Sequence, residues 1–122
     1  ADVPHRQLEH LVHQGIHAGD RLLPLLTSAN PRVQFFAAQG LGRIRHQAAV
    51  RPLLAMLKAN QNQDVYLRHA AVLALSRLGQ VEPLVALAGS PDPALRLAAV
   101  LALRQMKNAS VARFLNDSDE YI

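Results

Sequence analysis

The chain has no cysteine and no tryptophan, and only two Tyr and three Phe among its 122 residues. Without Cys, these residues can form no disulfide framework, thiolate zinc site, cysteine nucleophile or covalent haem attachment. The residue types that fill strands are sparse, whereas 21 Leu and 20 Ala make up a third of the chain. That balance favours helices packed closely through small side chains. The longest uninterrupted apolar run, Leu97 to Leu103, is seven residues, far below the roughly 18 of a membrane span, and the first residues lack a charged, apolar, cleavable pattern. Lysine is scarce too, two against eleven Arg, and the 13 cationic residues outnumber nine acidic ones to give a net charge of +4 and a pI near 10.3.

What is present is a repeat. With Val33, Leu67 and Leu95 set as position zero, VQFFAAQGLGRI, LRHAAVLALSRL and LRLAAVLALRQM superpose without gaps. Position four is Ala37, Ala71 and Ala99; position seven is Gly40, Ala74 and Ala102; position eight is Leu41, Leu75 and Leu103. These offsets gather on one face at 100° per residue, so each unit predicts an amphipathic helix whose buried stripe mixes small residues with large aliphatics. Three residues before each zero position stands Asn30, Asp64 or Asp92, types that accept hydrogen bonds from the free amides of a helix start. A shorter helix precedes each long one, aligned on Pro24, Pro52 and Pro83, and should begin one or two residues before its proline. Gly79 and Gly89 mark helix ends or turns.

A short helix, a tight turn and a long helix therefore recur every 28 to 34 residues. One such pair cannot bury both faces, so neighbours must stack. The expected fold is all-α, an α-α superhelix (a right-handed α-solenoid) of about three and a half pairs. The expected segments are an N-terminal helix over 1–19, repeats over 20–45, 47–79 and 80–107, and a truncated repeat over 109–122. In the last of these, Val111, Phe114 and Leu115 form the short helix, Asp119 is the cap and Ile122 takes position zero. A repeat stopping at that point reads as part of a longer polypeptide, with self-association expected through its uncovered C-terminal end.

The runs DPALRLAAVLAL (92–103) and DVYLRHAAVLAL (64–75) resemble the HEAT-like repeats first associated with phycobilisome lyases, over about residues 20–122. The first unit departs from the pattern, with Gln34 for the usual Arg and Phe35-Phe36 for small residues. More narrowly, VARFLNDSDEYI (111–122) resembles the helical segment of large bacterial multidomain proteins that join a sugar-dehydrogenase-like propeller, HEAT-like repeats and a c-type cytochrome. That narrower resemblance implies a spacer or docking arm of an exported or periplasmic redox protein, with the redox groups outside this segment.

Three constellations are candidates for function. His10, His13 and His17 fall at i, i+3 and i+7, within about 60° of one helical face, a spacing that suits Zn²⁺ or Ni²⁺. The face also lies opposite Leu8, Leu11, Val12 and Ile16 and reads as a solvated one, with Gly15 weakening the helix that would align the ligands, so no metal or other cofactor is assigned. Arg43 and Arg77 share position ten, with Arg104 beside them at position nine, and could track phosphates. Arg68 and Arg96 instead follow Asp64 and Asp92 by four residues and read as an internal ladder. The third constellation is the row at position two, Phe35, His69 and Leu97, with Gly42, Ser76 and Arg104 beside it. The family resemblance puts such a row on the inner surface where partners dock.

No Gly-x-Ser-x-Gly turn and no phosphate-binding glycine loop is present. The sequence thus reads as a non-catalytic protein-interaction or scaffolding segment, binding a protein partner or neighbouring domains of its own chain through Phe35, His69, Leu97, Arg104, Arg43 and Arg77. The alternative is a nucleic-acid-binding domain that sets Arg side chains on phosphates.

Overall fold

The three long helices start where the capping residues lie. Asn30 Oδ1 accepts from the Arg32 amide at 2.9 Å, and Asp64 Oδ1 from the amides of Tyr66 and Leu67 at 2.9 and 3.1 Å. Asp92 Oδ1 accepts from Ala94 and Leu95 at 2.9 and 3.3 Å. First-turn amides have no intrahelical partner, which is why these residue types stabilise a helix start. The amide of each cap is held in turn, by a side-chain oxygen of Ser28, Asn60 or Ser90.

The computed structural model describes residues 18–117, with side chains described for 18–107. Helix α1 (Ala18–Leu22) runs into a 3-10 turn, Leu23–Thr27, and is followed by α2 (Pro31–Arg43). A second 3-10 turn, Gln47–Ala49, leads into α3 (Val50–Asn60), which is followed by α4 (Val65–Leu78), α5 (Val81–Leu87) and α6 (Pro93–Asp117). Among the described residues there is no strand. Helices α3 and α5 each begin two residues before their proline, as Pro in a first turn allows.

The long helices stack in chain order, α2 on α4 and α4 on α6, with the shorter elements packed alongside. Positions four and seven are buried in all three units: Ala37, Ala71 and Ala99, then Gly40, Ala74 and Ala102. Position five separates a covered helix from an uncovered one. Ala38 and Val72 are 0% and 5% exposed, whereas Val100, at the same position on α6, is 38% exposed. Position eight repeats the contrast, with Leu41 and Leu75 fully buried and Leu103 only half-buried. Each long helix buries one flank in its own pair and the other against the next long helix, and among the described residues nothing packs on the second flank of α6.

The closest approach falls at Gly42. A Cβ there would lie 2.7 Å from Ala74 Cα and 2.9 Å from Ala74 Cβ, so the missing side chain lets α2 and α4 meet backbone to backbone. Sequence reasoning placed Gly42 on the docking face; it is buried in the helix interface instead. Gly19 plays a related part, since a Cβ at this position would overlap the ring of His46.

Several boundaries differ from expectation. Helix α1 spans the junction placed at residues 19 and 20, because Gly19 makes room for His46 rather than ending a helix. The restart expected at residue 109 is absent, and α6 runs unbroken from Pro93 to Asp117. Lys107, Asn108, Ala109 and Ser110 include neither Gly nor Pro, so nothing in them stops the helix. Asp119 and Ile122 lie outside the described residues, as do residues 1–17. Helix ends also use left-handed residues other than glycine. Gly79 closes α4 at φ 74°, but Arg45 follows α2 at φ 54°, and Gln61 and Asn62 close α3 at 47° and 60°.

The Arg–Asp ladder is replaced by amides. Arg96 donates to the Ser90 carbonyl at 2.7 Å, and among the described residues neither Arg68 nor Arg96 pairs with its capping aspartate. The units are tied by Gln61, which donates to Asp92 Oδ2 at 3.2 Å, and by Gln80, which donates to Gln47 Oε1 at 2.7 Å and to its carbonyl at 3.2 Å. Partial desolvation raises the Asp92 carboxyl, but the Leu95 amide, Gln61, the Ala94 amide and the charge of Lys58 outweigh it and leave the group below its ordinary value.

Two predictions follow from this packing. Gly42→Ala gains about 1 kcal/mol of helix propensity but loses about 1–3 kcal/mol to overpacking against Ala74, so urea unfolding should show a net loss. Gly89→Ala, with nothing within 4 Å of the new Cβ, should be neutral or slightly stabilising; equal stabilities for the two variants contradict the close-approach role. A lowered folded value means that Asp92 adds stability above its unfolded pKa of about 3.9 and loses it as pH falls through the folded value. Asp92→Asn keeps a capping oxygen and removes the charge. It should be less stable than the parent at pH 7, and the gap should close below about pH 4; a pH-independent gap overturns this assignment.

Candidate functional site

The predicted row does not form one continuous surface. Phe35 is half-buried, meeting Phe36 edge-on with ring centroids 5.8 Å apart and planes at 82°, and both rings pack against the core. Their T-shaped contact is a favoured aromatic geometry and anchors α2 inward. His69 and Leu97 are exposed on successive long helices, Leu97 at 39%. With Val100 it forms an apolar patch on α6.

Arg104 joins His69 in a cleft of about 240 Å³ between α4 and α6. Helix α4 lines it with Arg68, His69, Val72 and Leu73, one helical face at i, i+1, i+4 and i+5; α6 lines it with Leu101, Arg104 and Gln105. The floor is apolar and the rim carries two guanidinium groups. Position six meets itself across this cleft, through Leu73 and Leu101, but the rest of the lining does not pair like with like: positions one, two and five of α4 face positions nine and ten of α6. A row drawn through equal positions therefore finds His69 and Arg104 but misses Arg68 and Gln105. The available signal was Leu73 and Leu101, which widen the apolar faces of otherwise amphipathic helices.

Arg68 is free for this cleft because of a local difference between repeats. The position-one side chain of the first unit, Gln34, donates to the Leu26 carbonyl at 2.8 Å, and that of the third, Arg96, donates to Ser90. Each ties a long helix to the turn before it. In the second unit Asn60 does this work, donating to the Asp64 carbonyl at 2.9 Å and accepting from the Asp64 amide at 3.1 Å. Arg68 makes no side-chain hydrogen bond or ion pair among the described residues.

Arg43 and Arg77 stay apart from the cleft. Each is exposed in the last turn of its helix, α2 or α4, where a cation offsets the negative end of the helix dipole. His10, His13 and His17 lie outside the described residues, and among the described residues no three His, Cys, Asp or Glu are grouped to hold a metal ion. A second recess, between α3 and α5, is lined by Val50, Leu54, Pro83 and Leu87 with Gln47 and Gln80 at its edge; the two glutamines there already bond to each other. Among the described residues no helix is long and apolar enough to cross a membrane.

Stacked helix pairs with a small-residue interface define an all-α solenoid. Residues 19–84 and 61–120 match the family model for HEAT repeats, and the chain belongs to that family. Comparison with curated proteins and with solved structures finds no significant match. HEAT repeats generally mediate protein–protein interaction or scaffolding and are typically non-catalytic.

Proposed function

We propose that this segment is a non-catalytic scaffold that docks a protein partner, or a neighbouring domain of its own chain, on the surface of its long helices. The observation that carries this reading is the apolar patch of Leu97 and Val100 on α6: Val100 is exposed where its counterpart Val72 of α4 is covered by a packed helix, and Leu97 puts an apolar side chain at the exposed position that His69 holds on α4. Burying a comparable side chain contributes about 1.5–3 kcal/mol, so a protein surface that covers both gains substantially. A second copy of the chain meeting this face would satisfy the same patch. The resemblance of residues 111–122 to the helical segment of propeller-and-cytochrome proteins supports redox domains as the neighbours served.

One observation favours the second reading, nucleic-acid binding: the described side chains include eleven Lys and Arg against four Asp and Glu. Against it, Arg43 and Arg77 are placed at helix C-termini, and the aromatic at position two is half-buried, whereas single-strand binders stack bases on exposed rings. Binding to duplex DNA at about 50 mM salt, falling steeply as salt is added, would support this alternative.

A photo-crosslinking side chain in place of Leu97 should form adducts with a protein in the native cell, whereas the same group in place of Val85 on α5 should not. For the partner so identified, Leu97→Ala and His69→Ala should each weaken affinity about fivefold to tenfold. Unchanged affinity in both variants removes the docking surface.

A further inference from the structure

The cleft between α4 and α6 adjoins the Leu97 patch, since Leu97, Leu101, Arg104 and Gln105 fall at i, i+4, i+7 and i+8 on one face of α6, and its composition narrows what can enter it. Arg68 and Arg104 bring two fixed positive charges to one opening, and neither has a carboxylate partner among the described residues. The nearest acidic side chain in sequence, Asp64, already accepts two backbone amides as the cap of α4. Both are thus available to an anionic ligand, and a guanidinium holds a planar carboxylate through parallel hydrogen bonds. The floor asks for something else. Val72 is 5% exposed and Leu73 and Leu101 are half-buried, so a small hydrated anion leaves apolar surface wet, and a ligand with an apolar part covers it.

Size selects between a free metabolite and a side chain. A cleft of about 240 Å³ corresponds to about eight water volumes and lies below the roughly 300–1,000 Å³ of small-molecule sites. One acidic and one apolar side chain of a polypeptide fill it. The charge balance of the whole described surface, eleven cationic against four acidic residues, steers such a segment toward the cleft.

We propose that the α4–α6 cleft binds an acidic segment of a partner protein, with Arg68 and Arg104 clamping an Asp or Glu carboxylate and Leu73 and Leu101 receiving the apolar side chain beside it. His69 and Gln105 flank the carboxylate as further hydrogen-bonding groups. The proposal rests on the docking reading only in assigning the ligand to a protein; the chemistry of the cleft is carried by residues other than Leu97 and Val100.

The test uses the 122-residue chain and 4-phenylbutyrate as the probe, which joins a carboxylate to an apolar ring, followed by NMR of the arginine Nε–H and leucine methyl groups. Saturable binding at about millimolar concentration is expected, shifting Arg68, Arg104, Leu73 and Leu101 together. The neutral 4-phenylbutanamide should bind at least tenfold more weakly, acetate should leave the methyl signals unmoved, and Arg68→Gln and Arg104→Gln should each weaken the acid about fivefold to tenfold. Arg104 is exposed and Arg68 half-buried, and thermal unfolding of each variant checks that the fold is intact. Equal binding of acid and amide, shifts at other sites, or inorganic phosphate binding as tightly as the acid overturns the proposal; the last result favours nucleic acid. A cleft that ignores the acid while crosslinks from position 97 persist sinks this proposal and leaves the docking reading standing. Binding of the acid without such crosslinks does the reverse.

Discussion

Where α2 crosses α4, Gly42 lies against the backbone of Ala74, with no room for even a methyl group between them. Close helix approach of this kind demands small residues, and small residues contribute little hydrophobic free energy apiece. The chain answers by framing its Ala and Gly stripe with Leu41 and Leu75 at position eight and with Leu53, Leu57 and Leu84 of the shorter helices, all fully buried. Tight stacking of the long helices fixes the stagger between neighbours. The stagger in turn fixes which side chains face one another across each groove, so the candidate site is a consequence of how the core is packed.

Polar groups set the register that packing alone leaves loose. Each long helix is capped by an Asn or Asp whose own amide is held by a preceding side chain, and the turn before it is tied back by Gln34, Asn60 or Arg96. Between units the ties are amides rather than ion pairs: Gln61 to Asp92 and Gln80 to Gln47. Exposed ion pairs contribute little and are screened by salt, whereas short amide bonds at the turns hold neighbouring pairs without spending charge. The arginines are thereby left outward, and the described surface is strongly cationic.

That surface is not uniform. Arg43 and Arg77 close helices, Arg96 braces a turn, and Arg68 and Arg104 meet over an apolar floor. The basic character visible in the composition therefore divides into structural and available charge, and only the second kind bears on partners. The apolar patch of Leu97 and Val100 and the cationic cleft adjoin on α6, where Leu97, Leu101, Arg104 and Gln105 fall along one helical face.

The helix pairs, their caps and the Ala stripe were legible in the sequence because each depends on local chemistry: a capping oxygen at a fixed offset, a proline in a first turn, a 3.6-residue period. The left-handed non-glycine residues Arg45, Gln61 and Asn62 after α2 and α3 were not, since no glycine marks them. Nor was the continuity of α6, where nothing local stops a helix and no packed neighbour turns the chain. For the candidate site the residue types, and the nearness of His69 to Arg104, could be read from the sequence. Packing between helices brings Arg68 and Gln105 into the same cleft and leaves Phe35, Arg43 and Arg77 out of it, because a groove is lined by different repeat positions on its two sides, and which positions those are is set by side-chain contacts that no single helix contains.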